Sequence, residues 1–320
     1  MNALPLVDRL DGLLFFPVTP FQRRPDGRAG AVALETFTEH VETRIAAGPA
    51  AVFACCGTGE FFSLDLEEYA ETVAAAVRAV RGRVPVVAGV GYGAALGARF
   101  AAAASAAGAD GLLAMPPYLV TGGPDGLRDH YRALADATDL DLIIYQRDNA
   151  VLTPETVADL AQVPNIVGFK DGRGDLDLMQ RIVSAVRSRH GEGALYFLNG
   201  LPTAELTQLA YAGVGVTGYS SAVFCFAPDI ALAFYRAYRA GDRALPHALL
   251  DGFYRPLVEL RNLGAGYAVS LVKAAAGFDG PDPGPVRAPL SAPKPEHVER
   301  LRALVETGRG ILAGAGTAAA

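Results

Sequence analysis

The chain has 320 residues, of which 51% are hydrophobic and 19% charged, and a formal net charge of −6. This composition is typical of a globular enzyme and excludes a largely disordered chain, while the acidic balance without a basic stripe argues against nucleic acid as the main partner. No apolar segment is long enough to predict a membrane helix.

Short apolar segments alternate with longer amphipathic segments along most of the chain. The predicted strands are residues 13–21, 50–56, 84–90, 111–117, 140–146, 166–171, 194–200 and 215–221. The predicted helices are residues 33–48, 65–82, 95–108, 126–138, 153–163, 175–191, 203–213 and 223–242. Nearly continuous apolar strands that alternate with helices are typical of a parallel sheet covered by helices. Eight such units predict an α/β fold, a closed (β/α)₈ TIM barrel over residues 10–242, with an open doubly wound sheet as the alternative.

Several predicted helices carry capping signals. Asp65 and Glu68 are spaced as a capping box, and Pro154 follows Thr153 at the first helical position. Glycines suited to end a helix in the left-handed conformation stand at three positions, Gly48, Gly108 and Gly213.

The alternation stops after residue 242. Further helices are predicted over residues 245–263, 267–277 and 295–312, with a proline-rich connection at residues 280–285. Residues 243–315 are too few to hold a large core by themselves. We therefore predict a C-terminal helical extension that packs on the barrel.

Cysteine and histidine usage indicates neither disulfides nor a metal site. The three cysteines do not form a disulfide framework, and the five histidines are scattered without metal-ligand spacing. The first residues lack a basic segment followed by a long apolar core, so no signal peptide is predicted. We expect a cytoplasmic protein with no metal or organic cofactor.

Lysine is scarce, and one lysine stands at a notable position. The chain has three lysines, Lys170, Lys273 and Lys294, among 28 lysine and arginine residues. Lys170 ends the sixth predicted strand, the end at which such barrels carry their active sites. A buried lysine, unlike arginine, can lose its proton and attack a carbonyl carbon to form an imine. The alternative is a rim lysine that reaches solvent or pairs with Asp171.

Two further strand ends carry groups suited to this chemistry. Tyr145 ends the fifth strand, and is either a phenol that relays protons or an aromatic side chain that closes the barrel core. Gly57 and Thr58 follow the second strand, where backbone N–H groups and the Thr58 hydroxyl can hold a carboxylate. The alternative for this segment is an ordinary connecting turn.

Other polar side chains at strand ends are candidates to bind a substrate. Asn199 ends the seventh strand, and Ser220 and Ser221 end the eighth, where all three are suited to substrate hydroxyls. No histidine is placed to activate either serine, so no serine nucleophile is predicted. Arg147 either binds a second substrate carboxylate or forms a rim salt bridge with Asp148.

With these residues identified, the chain resembles the Schiff-base lyase superfamily of dihydrodipicolinate synthase and N-acetylneuraminate lyase over essentially its whole length. Within that superfamily it is most similar to the 5-dehydro-4-deoxyglucarate dehydratases. Four segments at predicted strand ends carry the resemblance, residues 57–64 (GTGEFFSL), 145–150 (YQRDNA), 169–175 (FKDGRGD) and 219–224 (YSSAVF).

The resemblance implies Lys170 as the Schiff-base lysine, Tyr145 as the proton relay and Gly57 with Thr58 as the carboxylate-binding turn. It implies dehydration and decarboxylation of 5-dehydro-4-deoxy-D-glucarate to 2,5-dioxopentanoate, without a cofactor, in a homodimer or homotetramer.

Three positions depart from the patterns of the related branches. The first Thr of the synthase Gly-Thr-Thr-Gly motif corresponds to Gly57, and the second Tyr of the synthase Pro-Tyr-Tyr segment corresponds to Leu119. Both departures disfavour the synthase activity. Gln146 stands where the dehydratase branch usually has Asn, which leaves its effect on substrate fit open.

Two alternatives to the dehydratase remain open. One is an aldolase, a lyase or a synthase-like enzyme that acts on another 2-keto acid, and the release of pyruvate in place of CO₂ identifies the aldolase case. The other is a non-catalytic barrel that binds sugar acids, against which the presence of both Lys170 and Tyr145 argues.

Overall fold

The computed structural model describes residues 5–318, and within this range the chain forms ten strands. In chain order they are β1 (Leu14–Phe15), β2 (Phe21–Arg23), β3 (Ala29–Val32), β4 (Ala51–Ala54), β5 (Val86–Val90), β6 (Gly111–Ala114), β7 (Asp141–Gln146), β8 (Ile166–Asp171), β9 (Tyr196–Asn199) and β10 (Gly218–Ser221). All except β2 and β3 pair in parallel in one closed barrel, in which β10 returns to β1. The predicted (β/α)₈ barrel is confirmed.

Twelve α-helices accompany these strands in the described range. They are α1 (Leu34–Ile45), α2 (Leu66–Val80), α3 (Ala94–Ala106), α4 (Pro124–Ala135), α5 (Pro154–Leu160), α6 (Leu176–His190), α7 (Glu205–Gly213), α8 (Pro228–Arg239), α9 (Ala244–Leu249), α10 (Arg255–Arg261), α11 (Tyr267–Ala276) and α12 (Pro295–Ala318). No helix among these residues is both long and apolar enough to cross a membrane.

The segment after β10 differs from the prediction of one helix over residues 223–242. A short 3₁₀ turn, Val223–Cys225, comes first, and α8 begins only at Pro228. Proline lacks a backbone N–H and fits the first turn of a helix, so it separates the two pieces. The predicted helix over residues 245–263 is likewise divided, because a π-helical turn, Leu250–Tyr254, lies between α9 and α10.

The first predicted strand also proved too long. Only Leu14–Phe15 pairs in the barrel, whereas Phe21 begins β2, which forms an antiparallel hairpin with β3 outside the barrel. Pro17 and Pro20 lie between these strands and cannot donate backbone hydrogen bonds, so the chain leaves the barrel there. The backbone N–H of Phe21 donates to the carbonyl of Pro283, which links the hairpin to the C-terminal extension.

Most of the predicted caps are confirmed. Asp65 and Glu68 form a complete capping box on α2, and Thr153 caps α5 with Pro154 at its first position. Gly48 and Gly108 adopt φ values of 86° and 87° after their helices. The prediction for the third glycine was wrong, because Gly213 is the last residue of α7 and Gly215, at φ 89°, takes the left-handed conformation.

Two apolar cores hold the barrel together. A compact cluster fills the barrel interior and includes Leu14, Phe16, Phe53, Leu113, Ile143 and Leu198. A larger cluster fills the layer between the strands and the surrounding helices. The last helix, α12, packs against α8, α9, α10 and α11, so the residues that follow the barrel lie against its helical layer.

Candidate active site

A cavity of about 410 Å³ opens at the carboxyl ends of the barrel strands. Six of the eight predicted site residues lie on its wall, Gly57, Thr58, Tyr145, Arg147, Lys170 and Ser220. Parallel barrel strands all deliver their carboxyl ends to the same face, which brings residues distant in sequence together there. The cavity has the size and position expected of a small-molecule site.

Tyr145 and Lys170 lie directly opposite each other on neighbouring strands. The register of β7 against β8 pairs Tyr145 with Lys170 and Gln146 with Asp171. Successive side chains of a strand point to opposite faces of the sheet. Tyr145 and Lys170 therefore both project into the barrel, whereas Gln146 and Asp171 project into the helical layer.

The Lys170 side chain is enclosed by aromatic rings. Its Nζ lies 4.2 Å from the centroid of the Phe16 ring and 4.5 Å from that of Tyr145, and the residue is 5% exposed. Burial lowers the pKa of Lys170 to about 8; the neighbouring Cys56 thiol opposes this change and Arg147 adds to it. About a tenth of the amine is thus unprotonated and nucleophilic at pH 7, far more than for a lysine of ordinary pKa.

Asp171 does not neutralise Lys170, although the two residues are adjacent in sequence. The Asp171 carboxylate accepts hydrogen bonds from Gln146 Nε2 at 3.0 Å and from the backbone N–H of Arg173 at 3.1 Å, and it also contacts the Tyr211 hydroxyl. The side chain is fully buried on the far side of β8. The pairing of Lys170 with Asp171 that we considered as an alternative is therefore absent.

The Tyr145 phenol lies deep in the cavity. Its hydroxyl is 3.4 Å from the carbonyl oxygen of Gly200, and burial raises its pKa while the Arg147 guanidinium opposes that rise. The phenol therefore keeps its proton at neutral pH and can donate it to a neighbouring oxygen.

Two glycines make room for the Tyr145 and Lys170 side chains, and neither was predicted as a site residue. A Cβ atom on Gly172 would lie 2.7 Å from the Tyr145 hydroxyl, and one on Gly200 would lie 2.3 Å from Lys170 Cε. Real side-chain contacts are never this close, so any larger residue here displaces the phenol or the amine. Each glycine follows a barrel strand by one residue, which is the sequence signal that was available.

Gly57 and Thr58 form part of a turn at the mouth of the cavity. Gly57 is exposed and Thr58 is half-buried, so their backbone and the Thr58 hydroxyl are accessible from the cavity. The next residue, Gly59, accepts a hydrogen bond from the buried Thr19 hydroxyl at 2.7 Å, which ties the turn to the segment after β1. This arrangement suits the binding of a carboxylate.

Arg147 forms the rim salt bridge that was one of the two roles left open by the sequence. Its Nε donates to Asp148 at 3.0 Å in a largely exposed rim pair, and its side chain also lines the cavity. Exposed ion pairs of this kind contribute little stability, so the guanidinium is free to exchange Asp148 for an anionic ligand. Together with Lys170 it supplies the positive charge on the cavity wall.

Asn199 and Ser221 lie outside the cavity, which corrects their prediction as substrate ligands. The Asn199 amide donates to the Ala204 carbonyl at 3.1 Å and accepts from the backbone N–H of Leu201, and the Ser221 hydroxyl bonds to buried Glu205. The alternation of side chains along a strand explains the position of Ser221, because two adjacent residues cannot both face the barrel interior. Ser220 faces the cavity, so Ser221 must face the helices.

Gln146 is also turned away from the cavity. It is 1% exposed, donates to Asp171 and accepts from the backbone N–H of Leu152 at 2.9 Å. The amide therefore holds the ends of β7 and β8 together from outside the barrel. The side chain does not reach a ligand in the cavity.

The C-terminal extension contributes a cavity wall that the sequence analysis did not predict. Gly266, Ala268 and Val269, at the start of α11, and Leu290 in the connection before α12 line the cavity opposite the barrel rim. These residues are small or apolar and carry no chemical motif, so no sequence pattern marks them as site residues.

Comparison with known protein families places the chain within one of them. The Dihydrodipicolinate synthetase family matches residues 9–307. Among curated proteins, a probable 5-dehydro-4-deoxyglucarate dehydratase 1 of Streptomyces avermitilis is 60% identical over 98% of this chain and 99% of its own length. A probable 5-dehydro-4-deoxyglucarate dehydratase of Bradyrhizobium diazoefficiens is 45% identical over 92% of this chain and 91% of its own.

Solved structures agree with this relationship at the level of the fold. Dihydrodipicolinate synthase from Bacillus clausii superposes with a TM-score of 0.86 over 95% of this chain and 100% of its own, at 26% identity. The synthase from Oceanobacillus iheyensis superposes with a TM-score of 0.85 over 95% of this chain and 98% of its own, at 24% identity. The barrel and the C-terminal helices are thus shared with these enzymes.

Proposed function

The chain belongs to the dihydrodipicolinate synthetase family, and from this premise we propose that it is a 5-dehydro-4-deoxyglucarate dehydratase that forms an imine on Lys170. One observation carries the proposal: a buried amine with a lowered pKa and no paired carboxylate lies beside a phenol at the base of the cavity. The naming of the similar Streptomyces and Bradyrhizobium proteins supports the same substrate.

The first step is attack of the neutral Lys170 amine on the keto carbon, C5 of the substrate. The carbon–nitrogen bond forms as the carbonyl oxygen takes up a proton, and loss of water then leaves a protonated imine. In our proposal the Tyr145 phenol transfers these protons, and the position of its hydroxyl within the same enclosed space supports this role.

The two substrate carboxylates require separate binding groups. In our proposal the turn at Gly57 and Thr58 binds the carboxylate next to the keto carbon, through backbone N–H groups and the Thr58 hydroxyl. Arg147, two residues after Tyr145 on the same cavity wall, binds the distal carboxylate in place of Asp148. Ser220 is left to hydrogen-bond a substrate hydroxyl.

Dehydration and decarboxylation both use the imine as an electron sink. A proton leaves C4, the electrons of that bond form an enamine, and the enamine expels the C3 hydroxyl as water. The C1–C2 bond then breaks to release CO₂, and its electrons flow through the conjugated system to the iminium nitrogen. Protonation and hydrolysis release 2,5-dioxopentanoate and restore the Lys170 amine. The adduct itself supplies the sink, so the mechanism requires no cofactor.

The test is an assay of CO₂ and semialdehyde release from 5-dehydro-4-deoxy-D-glucarate, combined with borohydride reduction. We expect equal amounts of both products and a stable mass increase on the peptide that contains Lys170. Turnover by a folded Lys170→Ala protein would refute the mechanism. Release of pyruvate without CO₂ would instead assign an aldol cleavage.

The proposal extends to the location and the assembly of the protein. Three free and buried cysteines are compatible with a reducing cytoplasm. Tyr118, Leu119 and Val120 form an exposed apolar segment after β6, and such segments often mediate association. We expect a homodimer or homotetramer, to be measured by analytical ultracentrifugation, and a monomer at micromolar concentration would contradict this expectation.

A further inference from the structure

The turn that carries Gly57 and Thr58 has an unusual backbone. Cys55 and Glu60, which bracket it, adopt left-handed conformations with φ values of 51° and 55°. Non-glycine residues adopt this conformation at an energetic cost, because it brings Cβ too close to the following carbonyl oxygen. Contacts elsewhere in the molecule must therefore hold the turn in this shape.

The Glu60 side chain makes those contacts. Its carboxylate is fully buried; Oε1 accepts from Lys273 Nζ at 2.8 Å, and Oε2 accepts from the backbone N–H of Arg287 at 2.9 Å. Lys273 Nζ also lies 3.9 Å from the centroid of the Phe21 ring. Glu60 is thus bonded on both oxygens by residues of the C-terminal extension.

This ion pair is better explained by positioning than by stability. Removing two charges from water is energetically costly, and apolar residues of similar size often stabilise a core as well or better. Apolar contacts do not fix the orientation of a side chain. Two charge-assisted hydrogen bonds do, because they hold the Glu60 carboxylate at well-defined positions. The Glu60 backbone, and with it the turn, is fixed in the same way.

The partners of Glu60 belong to the segments that form the opposite wall of the cavity. Lys273 lies on α11, whose first residues Ala268 and Val269 line the cavity. Arg287 precedes Leu290, which lines it as well. The Glu60 contacts therefore hold the turn and the C-terminal wall in a fixed relation across the cavity mouth.

We propose that Glu60 is a positioning residue for the carboxylate-binding turn, with Lys273 as its buried counter-ion. The inference rests on the proposed function in one respect, namely that Gly57 and Thr58 bind the carboxylate adjacent to the keto carbon. Glu60 does not touch the ligand itself, since its carboxylate is enclosed and fully bonded behind the turn. Its effect is on how well a 2-oxo acid is held for attack by Lys170.

The experiment compares two small probes that differ in the carboxylate. Pyruvate carries the 2-oxo acid group, whereas acetaldehyde has a carbonyl without a carboxylate. For wild type and Glu60→Gln, borohydride trapping is followed as added mass on the Lys170 peptide over a range of probe concentrations. We expect the half-saturating pyruvate concentration to rise at least tenfold in Glu60→Gln and acetaldehyde trapping to change less than twofold.

The matched control is Glu68→Gln. Glu68 also pairs with the C-terminal extension, through the Arg287 guanidinium, but it lies on α2 and not in the turn. We expect its pyruvate and acetaldehyde trapping to stay within twofold of wild type. An equal loss of pyruvate trapping in Glu68→Gln would overturn the proposal, because general attachment of the extension would then explain the effect.

A second variant keeps the test decisive if Glu60→Gln does not fold. Glu60→Gln combined with Lys273→Met removes both charges and leaves no unpaired ion in the core. Selective loss of pyruvate trapping in this folded double variant supports the proposal, whereas wild-type pyruvate trapping, or equal loss with both probes, overturns it. Pyruvate trapping does not depend on the dehydratase assay, so failure of the proposed substrate remains distinguishable.

Discussion

Replacing Lys170 with methionine should abolish activity and at the same time stabilise the protein. Burial lowers the pKa of Lys170 from 10.5 to about 8. At about 1.4 kcal/mol per pKa unit, this lowering means that the folded state disfavours the charged amine by about 3 kcal/mol. Methionine has a similar length and carries no charge, so it avoids this cost among the Phe16 and Tyr145 rings.

Part of this gain is offset by the contact of the ammonium with the rings. Cation–π contacts contribute roughly 0.5–2 kcal/mol, and methionine retains only a weaker sulfur–aromatic attraction. We therefore expect Lys170→Met to raise the free energy of unfolding by about 1–3 kcal/mol at pH 7. For a chain of this length the melting temperature should rise by roughly 1–5 °C.

The stability difference should depend on pH in a defined direction. Below pH 8 Lys170 is protonated in both the folded and the unfolded wild type, so the full cost is present. Between pH 8 and 10.5 the unfolded state binds more protons than the folded state, so wild-type stability rises towards that of the variant. Burial also lowers the pKa of Lys273, but that residue is present in both proteins and cancels in the comparison.

The assay is urea unfolding of wild type and Lys170→Met at equal protein concentration, at several pH values from 7 to 10.5. Lys294→Met provides the control, because Lys294 is exposed and its replacement should leave stability unchanged. A Lys170→Met protein that is less stable than wild type at pH 7 would refute the reasoning. So would a stability difference that stays constant as the pH rises.

Three further predictions concern activity. Tyr145→Phe should lower kcat by about 10²–10⁴-fold with little change in KM, because it removes the proton relay while the aromatic packing remains; steady-state kinetics measures this, and an unchanged kcat would contradict it. Gly200→Ala should lower kcat at least tenfold, since the added Cβ would lie 2.3 Å from Lys170 Cε. The circular dichroism spectrum should stay unchanged, which controls for folding. Wild-type turnover would contradict the prediction by showing that Lys170 moves aside without loss of activity. Arg147→Leu should raise KM for the six-carbon diacid by about tenfold or more, because a charge-assisted contact contributes about 1.5–3 kcal/mol. Borohydride trapping of pyruvate should be retained, since pyruvate has no distal carboxylate. An equal loss with pyruvate would show that Arg147 does not bind the distal carboxylate.

The barrel and the buried lysine at the end of β8 could be predicted from local features of the chain. Apolar strands and amphipathic helices follow from short-range backbone geometry, so their alternation is visible in the sequence. Lys170 stands out because it is one of three lysines and ends an apolar strand. Lys273 is another of the three lysines, and it proved to be buried in an ion pair. The scarcity of lysine could therefore have drawn attention to Lys273 as well as to Lys170.

The assignment of side chains to the cavity required the strand register. Asn199, Ser220 and Ser221 all end strands and all carry hydrogen-bonding groups, yet only Ser220 faces the cavity. The two-residue period of a strand already excludes that Ser220 and Ser221 both face inward. Which of them does so depends on how β10 pairs with β1, where Ser220 lies opposite Leu14 and Ser221 opposite Phe15.

The tertiary structure alone decided how the mouth of the cavity is built. Glu60 and Lys273 are 213 positions apart, and neither belongs to a motif that would connect them. Their contact, and the wall that Val269 and Leu290 contribute, depend on how the C-terminal extension folds back over the barrel. Sequence periodicity reports the local conformation of each segment, and therefore it determined the barrel and the lysine at the end of β8. Contacts between distant segments depend on their packing in three dimensions, which is why the setting of that lysine emerged only from the folded chain.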